Sequence, residues 1–161
     1  KSKFGELSVE EKLIEQTGVI GEKLDLSSYE TIESAQVSAY VHGGNRLATL
    51  VGLNSIVDEQ VGKDVAMQVA AMNPIALDRE SVSQATIDNE IDVAKDLARQ
   101  EGKPEEMLEK IAMGRLNKFF KENTLLNQEF IKESKTSVSQ YLNKIEKDLT
   151  VTDFKRVGLG V

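Results

Sequence analysis

The chain has no cysteine, no tryptophan, two prolines and a single histidine, His42. Without cysteine there can be no disulfide and no thiol chemistry, which fits a reducing, cytoplasmic setting. With one histidine, a zinc site would need an all-carboxylate remainder, an unusual ligand set. No apolar run approaches the ~20 residues that span a bilayer, and Lys1-Ser2-Lys3-Phe4 lacks the apolar stretch of a signal peptide. The first residue is Lys rather than Met, which processing or excision of a domain would each explain. Positive charge is also in deficit: 20 Lys and Arg face 27 Asp and Glu, a formal net charge of −7. A broad nucleic-acid surface needs clustered cations, so no direct nucleic-acid contact and no membrane contact are expected. A protein partner is compatible with this charge.

The 161 residues are 40% hydrophobic and 29% charged, enough for one domain or two small lobes sharing a core. Ser8 and Glu11 stand at capping-box spacing, which predicts a helix from Val9 to Gln16 that stops at Gly18. "VIGEKLDL" (19–26) reads as a strand. Ala35, Val37, Ala39 and Val41 alternate with Gln36, Ser38, Tyr40 and His42, the pattern of a strand with its Ala/Val face buried. A Gly43-Gly44-Asn45 turn follows, and "RLATLVGL" (46–53) returns as a more central strand. Asp58 caps a helix that ends at Asn73-Pro74, with Gly62, Ala66 and Ala70 forming a small-residue stripe suited to close packing.

Ser83 begins a long helix with Ile87, Ile91, Ala94 and Ala98 as a coiled-coil-like seam. Gly102-Lys103-Pro104 ends it and starts a second helix over 104–120, so the two lie antiparallel. Thr136 or Ser137 opens a further helix, and "TVTDFKRVGLG" closes the chain as a strand. The expected fold is α+β: a small antiparallel sheet packed with helices, with an inserted antiparallel helical hairpin.

No catalytic, cofactor-binding or metal-binding residues can be assigned, and no enzyme is expected. His42 has no Ser or Cys beside it in a nucleophile setting, and by its position it reads as a surface or turn residue. Asp88, Asp92 and Asp96 share a helix face, but Lys95 and Arg99 stand at ion-pair spacing, so the face reads as solvated. The methionines at 67, 72, 107 and 113 read as core. GxxxxGK[ST] and GxGxxG are both absent.

"VIGEK", "YVHGGNRLATLVGLN", "VAMQVAAMNP" and "EKIAMGRLNKFFKENTLLNQEFI" occur in that order, followed by "SKTSVSQYL" and "VTDFKR". In sequence and separation they resemble the bacterial elongation factor Ts family, over roughly residues 17–159. The resemblance implies a guanine-nucleotide exchange factor acting on elongation factor Tu. It implies an N-terminal helical segment (1–18), an α+β core lobe (19–82 and 123–161), and a coiled-coil or dimerisation hairpin (83–122). His42, Ile20 and Gly21 match family positions that touch the partner. Read from the residues alone, Ile20 is strand core and Gly21 a bulge or bend.

The family's N-terminal module and first core lobe have no counterpart here, nor does its Thr-Asp-Phe-Val exchange motif. Thr152-Asp153-Phe154 lies in the last strand, where the family has no such role, so the exchange function is not transferred to it. Gln68 stands where some relatives have histidine. The resemblance thus implies a fragment that supplies partner contacts, with self-association through the hairpin as the alternative. It implies no cofactor of its own, since Mg²⁺ belongs to the partner's nucleotide.

Overall fold

A computed structural model describes residues 3–159, divided into one unit that ends at Thr31 and a second that begins at Ile32. In the first unit, β1 (Lys3–Phe4) and β2 (Leu7–Ser8) pair antiparallel and lead into α1 (Val9–Ile20). The capping box forms: Ser8 Oγ accepts from the Glu11 N–H at 3.2 Å, and Glu11 Oε2 accepts from the Ser8 N–H at 2.7 Å. These hydrogen bonds, the backbone one foremost, hold the Glu11 carboxyl below its ordinary pKa. The helix runs past Gly18 and stops at Gly21, whose φ of +78° suits a glycine and whose N–H reaches the Thr17 carbonyl at 2.9 Å.

The expected strand over 19–26 does not form: Val19 and Ile20 are the last turn of α1, and residues 21–35 adopt no strand. A single interior glycine costs a helix only ~1 kcal/mol, too little to end it at Gly18. No residue of α1 is buried.

The second unit is built on three antiparallel strands, β3 (Gln36–Val41), β4 (Leu47–Leu53) and β7 (Val151–Gly158), in the order β3-β4-β7. The central place expected for 46–53 is the one β4 takes. Between β4 and β7 come α2 (Glu59–Met72), α3 (Gln84–Gln100) and α4 (Glu105–Asn123). A 3₁₀ turn (Leu125–Asn127), β5 (Glu129–Phe130), β6 (Glu133–Ser137) and α5 (Val138–Ile145) follow.

The face of β3 is the reverse of the expected one. Ser38 is buried, while Val37 and Val41 are 44% and 56% exposed. In register, Ser38 sits opposite Val51, and Val51 opposite Phe154, so these three share the side covered by α2. The cause is the small-residue stripe of α2. A Cβ on Gly62 would stand 2.0 Å from Ser38 Oγ, so helix and strand meet with no room between them. Only short or hydrogen-bonding side chains fit such an approach. Thr49 Oγ1, for example, donates to the Ala66 carbonyl at 2.8 Å.

The main core joins Val51 and Leu53 of the sheet, Val65 and Val69 of α2, and Val138 and Leu142 of α5. A separate cluster of Ala76, Val82, Leu116 and Phe120 closes the root of the helical hairpin. Ser83 caps α3, its Oγ accepting from the Thr86 N–H. The Lys103 N–H bonds to Ala98 O and the Gly102 N–H to Arg99 O, a Schellman ending with Gly102 at φ +74°. Ala94 and Ala98 of α3, and Leu108 and Ala112 of α4, are buried where the two helices pack together. Two cross-helix ion pairs, Lys95–Glu109 at 2.5 Å and Arg99–Glu105 at 2.9 Å, flank it.

Two glycine substitutions check this account of the packing. Gly62→Ala must push α2 off Ser38 and is expected to cost about 1–3 kcal/mol. Gly114→Ala, in α4 with open space where the methyl would go, is expected to stabilise by up to about 1 kcal/mol. Urea unfolding of both variants measures the difference; equal stabilities would mean that α2 does not bear on β3 at Gly62.

Candidate functional site

His42 follows β3 and starts the turn into β4. Its N–H donates to the Leu47 carbonyl at 2.8 Å, and its carbonyl accepts from the Asn45 N–H at 3.0 Å. Gly44 (φ +86°) and Asn45 (φ +55°) supply the left-handed residues that reverse the chain. His42 is exposed, as the sequence suggested, yet it lies on the side of β3 that α2 covers, just beyond the covered part.

Two residues back on the same face, the Tyr40 hydroxyl lies 3.0 Å from His42 Nδ1, with the rings tilted at 54°. With Nδ1 tied, Nε2 is the ring nitrogen available to a partner. If the phenol donates, Nε2 carries the ring hydrogen and is itself a donor. Tyr40 therefore orients the histidine, a role that alternation alone could not reveal, because it depends on ring geometry.

Beside the pair is a hollow of about 310 Å³ lined by Tyr40, His42, Leu47, Met67, Ala71 and Ile131. Ile131 sits at the turn between β5 and β6 and is 42% exposed. Two buried groups on α2 hold that turn. Gln68 Oε1 accepts from the Ile131 N–H at 2.9 Å, and Asp64 Oδ1 accepts from Lys132 Nζ at 2.6 Å. Gln60 Nε2 donates to the same Asp64 oxygen at 2.6 Å, so this buried carboxylate is both paired and hydrogen-bonded. Behind the turn, Tyr141 stacks on Phe130 with centroids 4.1 Å apart. Burial first, and then the carboxylates of Asp64, Glu133 and Asp58, push the Tyr141 phenol above its ordinary pKa. The surface is apolar with one oriented imidazole at its edge.

The other candidates lie elsewhere. Ile20 ends α1 and is 54% exposed, rather than strand core, and Gly21 is a left-handed helix cap rather than a bulge. Both belong to the first unit and His42 to the second. Met72, Met107 and Met113 are each 44% exposed, so the reading of these methionines as core is corrected; helix periodicity did not distinguish seam from flank. Phe154 packs against the main core, and Asp153 pairs with Lys155 at 3.3 Å. A larger hollow of about 520 Å³ at the hairpin root is lined by Arg79, Lys121 and Lys135 but also by Glu122 and Glu129, with no single sign of charge. Among the described residues no group of three or more His, Cys, Asp or Glu could hold a metal ion, and no helix is long and apolar enough to cross a membrane.

A sequence model of the family described as "Elongation factor TS" matches residues 1–161. Curated proteins named elongation factor Ts are similar over nearly the whole chain. That of Christiangramia forsetii is 52% identical over 162 residues, covering 99% of this chain and 59% of the relative. That of Flavobacterium psychrophilum is 52% identical over 161 residues, with the same coverage of 99% and 59%. That of a Hydrogenobaculum species is 40% identical over 160 residues, covering 99% of this chain and 57% of the relative. The chain thus spans under two thirds of the length of these relatives.

The geometry around His42 makes a direct prediction. His42→Ala removes an exposed ring and opens no core cavity, so stability should change by no more than about 0.5 kcal/mol. Tyr40→Phe should leave the fold intact and move the Nδ1 resonance of His42 in long-range ¹H–¹⁵N spectra, because Nδ1 loses its hydrogen bond. A large fall in melting temperature for His42→Ala would mean the ring is a structural part of the turn.

Proposed function

Since the chain belongs to the elongation factor Ts family, we propose that it is the partner-binding part of a guanine-nucleotide exchange factor acting on elongation factor Tu in the cytoplasm. The observation that carries this is the family match along all 161 residues. Exchange of this kind needs no covalent chemistry and no cofactor of the factor's own. A protein that binds the nucleotide-free partner better than the GDP-bound one lowers the partner's affinity for GDP by the same factor, because linkage is reciprocal.

In this reading His42 meets elongation factor Tu at the edge of the hollow, with its ring direction set by Tyr40. Ile20 and Gly21 add contacts from the end of α1. An oriented, exposed imidazole beside an apolar hollow has the make-up of an interface anchor, since binding energy concentrates in few residues. The core lobe and the hairpin act as separate parts, 19–82 with 123–161 and 83–122. The Asp153-Phe154 pair takes no role in exchange. Phe154 is partly buried against the core, and Asp153 pairs with Lys155, so both side chains already have partners within the chain.

A second reading, self-association through the hairpin, is favoured by the exposed Val93 and Leu97, one helical turn apart on α3, and by the exposed Met107. The hydrodynamic mass decides between them. A monomer that gains mass on adding elongation factor Tu fits the first reading. A dimer that Leu97→Lys converts to monomer fits the second.

The chain is expected to bind nucleotide-free elongation factor Tu and to speed GDP release little. Contacts that bind both states of a partner alike shift no equilibrium. His42→Ala is expected to raise Kd roughly five- to thirty-fold in calorimetric titration, against a smaller change for Gln36→Ala. Release of fluorescent GDP as fast as with a full-length factor would place the exchange activity within these residues after all. Unchanged affinity for His42→Ala would remove His42 from the interface.

A further inference from the structure

Gln68 and Gln128 are the two glutamines buried to 0% and 1%, and both lie where the helical hairpin joins the body. Gln68 Nε2 donates to Gln128 Oε1 and to the Glu129 carbonyl, each at 3.1 Å, while its Oε1 accepts from the Ile131 N–H. Gln128 Nε2 donates to the Glu122 carbonyl at 2.9 Å and to the Met72 carbonyl at 3.4 Å. Both amide hydrogens of each side chain are therefore used, and both oxygens are engaged.

The two carbonyls that Gln128 reaches have a common origin. Met72 ends α2, and Glu122 lies in the last turn of α4. Carbonyls in the last turn of a helix have no partner within it and must be satisfied from outside. One amide here satisfies an orphan carbonyl on each of two helices and so ties the end of α2 to the end of α4. The remaining attachments at the root differ in kind. The Ile75 N–H bonds to Asn123 O and the Leu125 N–H to Ala76 O, fixing the backbones side by side. Phe120 packs in the small apolar cluster with Arg79 5.1 Å over its ring, and Arg79 Nη1 makes an exposed hydrogen bond to Asn117 Oδ1 at 3.0 Å. Beyond the root, α3 and α4 pack chiefly on each other.

We infer that the Gln68–Gln128 pair is the joint that sets the direction of the helical hairpin relative to α2 and the surface around His42. The pair spans three pieces at once: α2, the end of α4, and the β5–β6 turn that carries Ile131. A hydrogen-bonded amide is directional, and buried polar groups left unpaired are costly, so one arrangement is strongly preferred over its neighbours. Apolar replacement would keep the root filled while removing that directionality. Gln68 and Gln128 are positioning residues on this account, and the inference stands whether or not the exchange reading holds.

The absence of cysteine makes the test clean. Spin labels at Lys103→Cys on the hairpin tip and Val41→Cys on the sheet report the tip-to-sheet distance in pulsed electron resonance. Gln128→Leu and Gln68→Leu are expected to shift this distribution or widen it about two-fold, as loosened segments do. Gln68→His, which keeps one donor and one acceptor, is expected to stay closer to the parent. Leu142→Ala lowers stability in the main core without touching the joint, and should leave the distance unchanged. If either leucine variant does not fold, Gln128→Asn, whose shorter amide cannot span both carbonyls, is read in its place. An unchanged distribution in folded joint variants would overturn the inference. So would a distribution that widens equally in Leu142→Ala, because general loosening would then account for it.

Discussion

The approach of α2 to the sheet at Gly62 is the contact on which the second unit depends. With no side chain at that position, the helix backbone comes down onto Ser38. The covered face of β3 has the short Ser38 at the point of contact, with Gln36 and Tyr40 on either side, and Val37 and Val41 go to the other side. Val51 and Leu53 on β4, with Val65 and Val69 on α2, make the core that the close approach permits. The same placement leaves Tyr40 and His42 at the end of the covered face. The phenol is held beside α2 there, and the imidazole emerges at the rim of the hollow with Met67 and Ile131.

The hairpin follows a different logic. Its two helices satisfy each other along an alanine-rich seam, so its length costs the body little. Its root has its own small cluster around Phe120, apart from the main core. The two regions are joined by backbone bonds between residues 75–77 and 123–126 and by two buried amides with every donor used. Hydrogen bonds add a preferred direction to the close packing at this root.

Several features were legible from local chemistry. The caps at Ser8, Ser83 and Ser137 were visible because a capping box or N-cap involves residues only three apart. Gly102 before Lys103-Pro104 marked the hairpin tip for the same reason. Gln68 could be named but not interpreted, since its partners Gln128 and Ile131 lie 60 and 63 residues away. The strand expected at 19–26 rested on β-branched composition, which cannot tell whether a pairing partner is present. Tyr40 passed as an ordinary polar-face residue, because its hydrogen bond to His42 depends on side-chain direction.

By itself the sequence determined the α+β class, the antiparallel hairpin and the turn that carries His42. It did so because each is set by contacts between near neighbours along the chain. Tertiary structure alone decided which face of β3 is buried and what the buried glutamines bind. These depend on groups far apart in sequence, and on how closely two backbones can approach. Period-two alternation shows that a strand has two faces. The missing side chain of Gly62, on another element, decides which of them becomes the inside.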